Sequence, residues 1–222
     1  MPRPTDTALK TRARTLLEAM TERARWIYAL PREEAAAALP AIAEKAGLRC
    51  EETDAGAGVS RYGSDKLKAS FVVFDSAELD VLLVEAAGED APPILADLIE
   101  RVGFYAQSTL LGTALDVKDE ETSKALRTLA HMVVAWDEDW SDLFLLHLAS
   151  PDPVARHEAV LGLTTAVMVA HDAGPAKELL EEAHKREKFP KLKDTIAEAM
   201  QVVSGMTGGP VAVDPGPPLD PL

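Results

Sequence analysis

At 222 residues the chain is long enough for one large domain or two small ones with a proper core. Hydrophobic residues make up 47% and charged residues 27%, as in an ordinary globular protein, but aromatics are only 5%, so the core has to rest on Leu, Val and Ala. The net charge of −14 repels phosphate backbones and anionic lipid heads, which argues against nucleic-acid and membrane partners and for a protein partner with a basic surface.

The N-terminal segment predicts a helix. Leu9, Ala13, Leu16, Leu17, Met20, Ala24 and Ile27 recur at steps of three and four, with Arg12, Arg14, Arg23 and Arg25 off that stripe. Residues 1–30 carry six basic and three acidic side chains, whereas residues 31–180 carry 12 basic and 27 acidic, so the acidity belongs to the middle of the chain. Pro31, Glu33 and Glu34 suit the first turn of a second helix, Leu39, Ile42, Ala43 and Ala46 give its apolar face, and Gly47 suits its C-terminal cap. Pro40 is expected to kink or shorten it. The two helices together predict a helical hairpin.

After Gly47 the texture changes. Residues 70–74 and 79–84 are rich in β-formers, and Asp54-Ala55-Gly56-Ala57-Gly58 is a turn signal. Residues 48–86 are therefore expected to form an antiparallel meander of three or four strands packed on neighbouring helices, since so small a sheet is marginal alone. The Gly-rich run from Gly56 to Gly63 lacks the Gly-Lys-Ser/Thr of a phosphate loop and is expected to be a hairpin loop. Pro92 and Pro93 open a helix carrying Ile94, Leu95, Leu98, Ile99 and Val102; residues 104–115 fit a strand or a helix equally.

From Asp119 the pattern is helical. Leu126, Leu129, Ala130, Val133 and Trp136 mark one helix, and Asp139 is placed to cap a second with Leu143, Phe144, Leu146 and Leu148. Ser150 and Pro151 are expected to cap and start a third that runs to Ala170. Gly174-Pro175 breaks it, and residues 176–187 and 190–203 form a last pair. Residues 207–222, with five prolines and three glycines, predict an extended tail, inert or used as a docking peptide.

The stretch from Leu143 to Leu163 resembles a HEAT repeat: a short apolar helix, a turn with Asp152-Pro153, then Val154-Ala155-Arg156 followed by Ala159 and Leu163. The resemblance implies a short α-solenoid, structural roles for Asp152 and Arg156 in ordering the turns, and binding of another macromolecule along one face. The expected fold is mostly α with a small antiparallel β-sheet. An α+β part spans residues 1–116, HEAT-like helical pairs span 117–205, and the Pro/Gly-rich tail spans 206–222.

No catalytic constellation emerges. None of His131, His147, His157, His171 and His184 stands at metal-ligand spacing, and the side chains of the adjacent pair His157-Glu158 are expected to point apart. Cys50, the sole cysteine, has no base near it in sequence; it precludes an intramolecular disulfide and fits a reducing compartment. No signal-type apolar run opens the chain and no stretch reaches the ~18 apolar residues of a membrane span, so a cytoplasmic protein is expected, with no catalytic, cofactor or metal residue assigned.

The most distinctive surface candidate is Trp136-Asp137-Glu138-Asp139-Trp140. Two tryptophans four apart could share a helix face and anchor a basic partner beside three carboxylates, with Asp119, Glu120 and Glu121 extending the patch; the other reading has both rings plugging a helix junction. The function expected is a non-catalytic interaction module, an adaptor, scaffold or regulatory subunit. Its sharper form is an acidic inhibitor or immunity-type protein for a basic partner. An enzyme or small-ligand binder with a pocket between the sheet and the helices is the reading from a different class.

Overall fold

In the segment Trp26-Ile27-Tyr28 three β-favouring residues follow one another, and alternation puts Trp26, Tyr28 and Leu30 on one side and Ile27 and Ala29 on the other. Residues Arg25–Pro31 form strand β1, where the helical spacing of Ala24 and Ile27 predicts the end of a helix. The end of the expected first helix is thus a strand that leads into the second helix. The partner that rewards the strand is remote: Arg25 stands opposite Ala87 and Pro31 opposite Val81.

The computed structural model describes residues 25–116, 121–133, 135, 136 and 138–206, without the side chain of Glu138. The helix expected from Leu9 to Ala24 and the tail 207–222 lie outside the described residues, as do Asp119, Glu120 and Asp137.

Helix α1 spans Arg32–Ala46 and continues past Pro40, which therefore does not shorten it. The carbonyl that Pro40 cannot serve belongs to Ala36, and both residues are exposed, so water can take the missing donor's place. Gly47 closes the helix in the left-handed region, with its own N–H and that of Leu48 donating to carbonyls of the last turn. Strands β2 (Arg49–Asp54), β3 (Val59–Gly63), β4 (Ser70–Ser76) and β5 (Val81–Ala87) follow as an antiparallel meander, and β1 completes a five-stranded sheet of order β1-β5-β4-β3-β2. The Gly-rich run is thus turn only as far as Gly58 and strand thereafter. Asp54 builds that turn, its carboxylate accepting the N–H groups of Gly56 and Ala57 at 3.0 Å each.

Helix α2 (Ala91–Val102) packs with α1 on one face of the sheet. Leu39, Ile42, Leu95, Leu98 and Ile99 bury against Leu30, Phe71, Val73 and Val84 there. On the other face Ala29, Val81 and Leu83 are covered by Leu79, Phe74, Tyr105 and Met132. The central strand β5, buried from both sides, is accordingly an unbroken apolar run, Val81-Leu82-Leu83-Val84. At Gly88, just past β5, φ is +99° and a Cβ would sit 2.0 Å from the carbonyl oxygen of Lys68, so only glycine lets the chain pass there.

Residues 107–115, ambiguous in sequence, form helix α3 (Gln107–Leu115), and α4 (Thr122–Ala130) packs on it. The chain divides into two units at 134/135, so α4 belongs to the first unit rather than to the helical region expected from residue 117. The second unit is helical: α5 (Glu138–Leu148), α6 (Pro153–Ala170), α7 (Ala176–Arg186) and α8 (Pro190–Met206). Helix α6 packs against the other three, burying Ala159, Val160, Leu163, Ala166 and Val167. The fold is mostly α with a small antiparallel sheet in its N-terminal part. No helix among the described residues is long and apolar enough to cross a membrane.

Candidate interaction surface

Two turns of the second unit are tied together by polar side chains. In the α5–α6 turn, Pro151 and Pro153 each bias the preceding residue toward extended backbone. Asp152 (φ −78°, ψ 120°) therefore takes the N-cap conformation, and its carboxylate accepts the N–H of Val154 at 2.9 Å. The cap expected at Ser150 is displaced two residues along, because Pro153 rather than Pro151 occupies the first helical position. In the α7–α8 turn Pro190 likewise starts the helix. Glu187 turns its carboxylate inward, accepting the N–H groups of Lys188 at 2.8 Å and Phe189 at 2.9 Å.

Arg156 joins the two turns. Its guanidinium meets Glu187 in a two-point ion pair, Nε to Oε2 at 2.8 Å and Nη2 to Oε1 at 3.1 Å, while Nη1 donates to the carbonyls of Ser150 at 2.9 Å and Pro151 at 3.1 Å. The Phe189 ring lies 5.7 Å from the same guanidinium, within cation–π range. The Glu187 side chain is 3% exposed. The Arg156 guanidinium, with the two backbone donors, outweighs the cost of burial and holds the Glu187 carboxyl at about 2, below the usual 4.5.

Beside this pair lies an open cleft of about 320 Å³ lined by Leu148, Pro151, Ile196, Phe189, Lys188 and Arg186. Phe189 is 54% exposed. The five basic residues of the chain beyond residue 181 all fall within 185–193, around this turn: Lys185, Arg186, Lys188, Lys191 and Lys193. Arg186 pairs with Glu182 at 2.7 Å, and Lys185 reaches the same carboxylate at 4.0 Å. Lys188, Lys191 and Lys193 have no ion-pair partner among the described residues. This cluster was visible in the sequence as five cations in nine positions; the acidic total conceals it.

The acidic-aromatic candidate is arranged differently. Trp136 precedes α5 and Trp140 lies within it, so the two rings do not share one helix face as one reading required. Trp140 is 8% exposed. Trp136 donates its indole N–H to the carbonyl of Asp172 at 2.7 Å, with its ring centroid 6.1 Å from that of Phe144. An indole has much apolar area and one donor, and packing with that donor satisfied suits it better than a free surface. The contact is close enough to dictate a neighbour: a Cβ at Gly174 would lie 2.6 Å from the Trp136 ring. Asp139, expected to cap α5, stands instead in its first turn and is exposed. Glu121, in the first unit, pairs with Lys124 at 3.5 Å. The remaining acidic candidates, Asp119, Glu120, Asp137 and the Glu138 side chain, lie outside the described set.

His157 and Glu158 do not point apart: His157 Nδ1 is 3.3 Å from the Glu158 carboxylate. His131 in the first unit is strongly perturbed; its ring lies tilted beside that of Phe74, the centroids 5.4 Å apart. Burial, then the nearby Arg127 charge, lowers it to about 4, so it is neutral at pH 7. Among the described residues no group of three or more His, Cys, Asp or Glu converges as metal ligands. Cys50 is exposed on β2, its Sγ 3.2 Å from the Thr53 hydroxyl. Comparison with protein-family models, curated proteins and solved structures finds no match to this chain.

Proposed function

We propose that the protein is a non-catalytic protein–protein interaction module, an adaptor, scaffold or regulatory subunit, and that its second unit supplies the binding surface. The observation that carries this reading is where large apolar side chains meet solvent. Among the described residues Leu145, Leu146, Val154, Met168, Phe189 and Val202, at 42–62% exposure, all belong to the second unit, and Leu115 to the first. The packing of α5 on α6 and of α7 on α8, with Arg156 tying one turn to the next, accords with the HEAT-like arrangement we propose for this unit.

An acidic inhibitor of a basic partner is the second reading, favoured by the net charge of −14. A ligand pocket between the sheet and its helices is the weaker one, because Leu39, Ile42, Leu95, Leu98 and Ile99 fill that seam. A cytoplasmic location accords with one exposed, free thiol, Cys50.

The test is affinity capture from the native host with the full chain and with its Phe189→Asp and Val154→Asp variants, each checked for an unchanged Tm. A protein recovered by the wild type and lost with a variant supports the reading. Identical captures by all three, or none, overturn it.

A further inference from the structure

We infer that the α7–α8 turn docks an acidic peptide segment bearing one apolar anchor residue; this rests on the reading of the second unit as a protein-binding surface. Leu148, Pro151 and Ile196 line the cleft, and the half-exposed Phe189 ring forms part of its rim. At about 320 Å³ the cleft is at the small end of those that hold a ligand, a size that suits a single Leu or Phe side chain rather than a cofactor.

Charge selects the class of partner. Among the described residues Lys188, Lys191 and Lys193 have no ion-pair partner, and the one acid within 185–193, Glu187, is already engaged by Arg156. Carboxylates flanking the anchor residue would meet Lys188 at the cleft and Lys191 in the first turn of α8, where the positive end of the helix dipole adds to the attraction, while Arg186 is already paired with Glu182. Of the acids that make up the overall charge of −14, those more than about 8 Å from the turn oppose this little, because they are largely screened at physiological ionic strength. Arg156 takes a positioning role: its bonds to Ser150, Pro151 and Glu187 fix both walls of the cleft.

The experiment titrates the full chain against short fluorescent peptides. One holds a single Leu or Phe between Glu and Asp residues, a second has the same anchor between lysines, and a third is acidic with Ala as the anchor. Single-stranded DNA and phosphatidylserine vesicles complete the panel. The expected result is saturable binding of the first peptide alone, weakened at least tenfold by Lys188→Glu/Lys191→Glu at unchanged Tm, and weakened by added salt. Equal binding of the lysine-flanked or Ala-anchored peptide, preference for DNA or vesicles, or indifference to the charge reversal overturns the proposal. If no acidic peptide binds while host capture stays sensitive to Phe189→Asp, only the acidic class is overturned; if capture is insensitive too, the surface itself is.

Discussion

Replacing Glu187 by Gln isolates the charge of a buried ion pair that joins two turns of the second unit. Gln keeps the shape, and its side-chain oxygen can still accept the N–H groups of Lys188 and Phe189, but it removes the carboxylate that Arg156 grips at two points. The displacement of the Glu187 carboxyl from 4.5 to about 2 measures how strongly the fold favours its charged form. At roughly 1.4 kcal/mol per pH unit, that preference contributes about 3 kcal/mol at pH 7. The sign follows from a depressed folded-state value. The stabilisation is complete above about 4.5 and is lost as pH falls toward 2, so at pH 3 about 1.4 kcal/mol remains. Urea unfolding of both proteins, followed by helical circular dichroism at pH 7 and pH 3, reads the difference. With a slope of about 1.5 kcal/mol per molar, the variant's transition for the second unit moves down by about 2 M at pH 7 and by less than half as much at pH 3. An equal cost at the two pH values, or a cost under about 1 kcal/mol at pH 7, refutes the account of Arg156–Glu187 as a charge-dependent clasp.

The first unit titrates in a different window. His131 is held neutral by burial, so stability is full above 6.5 and falls as pH drops toward 4, by about 2–3 kcal/mol, and His131→Phe flattens that slope in thermal unfolding between pH 7 and pH 4. Gly88→Ala forces a Cβ to within 2.0 Å of the Lys68 carbonyl at φ +99°; a loss of more than about 2 kcal/mol is expected, read as a fall in Tm of the first unit. Asp152→Ala removes the α6 cap and costs about 1 kcal/mol by urea titration, whereas Asp152→Asn, which keeps the acceptor, costs a few tenths.

Local signals sufficed for much of this protein. The meander, the Gly47 cap and the final helix pair were legible because their determinants are neighbours in sequence: runs of β-formers along β4 and β5, a glycine after an apolar stripe, and helix-spaced apolar residues after Pro175 and Pro190. The cations of the candidate surface were equally legible as letters. Their meaning was not, since nothing in the letters says that Glu187 is engaged by a residue from the preceding helix hairpin while Lys188 has no ion-pair partner among the described residues.

What only the tertiary structure decided are the features whose reward is remote. Arg25–Pro31 has a helix-compatible spacing, yet its fate turns on β5, whose open edge satisfies the backbone of β1. Trp136 and Trp140 looked like a pair because they are four apart. The chain instead sends one ring to the Asp172 carbonyl and Phe144 and buries the other within α5, since each indole gains more from packing than from a shared exposed face. Sequence periodicity specifies which side of an element is apolar; which partner covers that side is a property of the assembled chain, because burial is cooperative and non-directional.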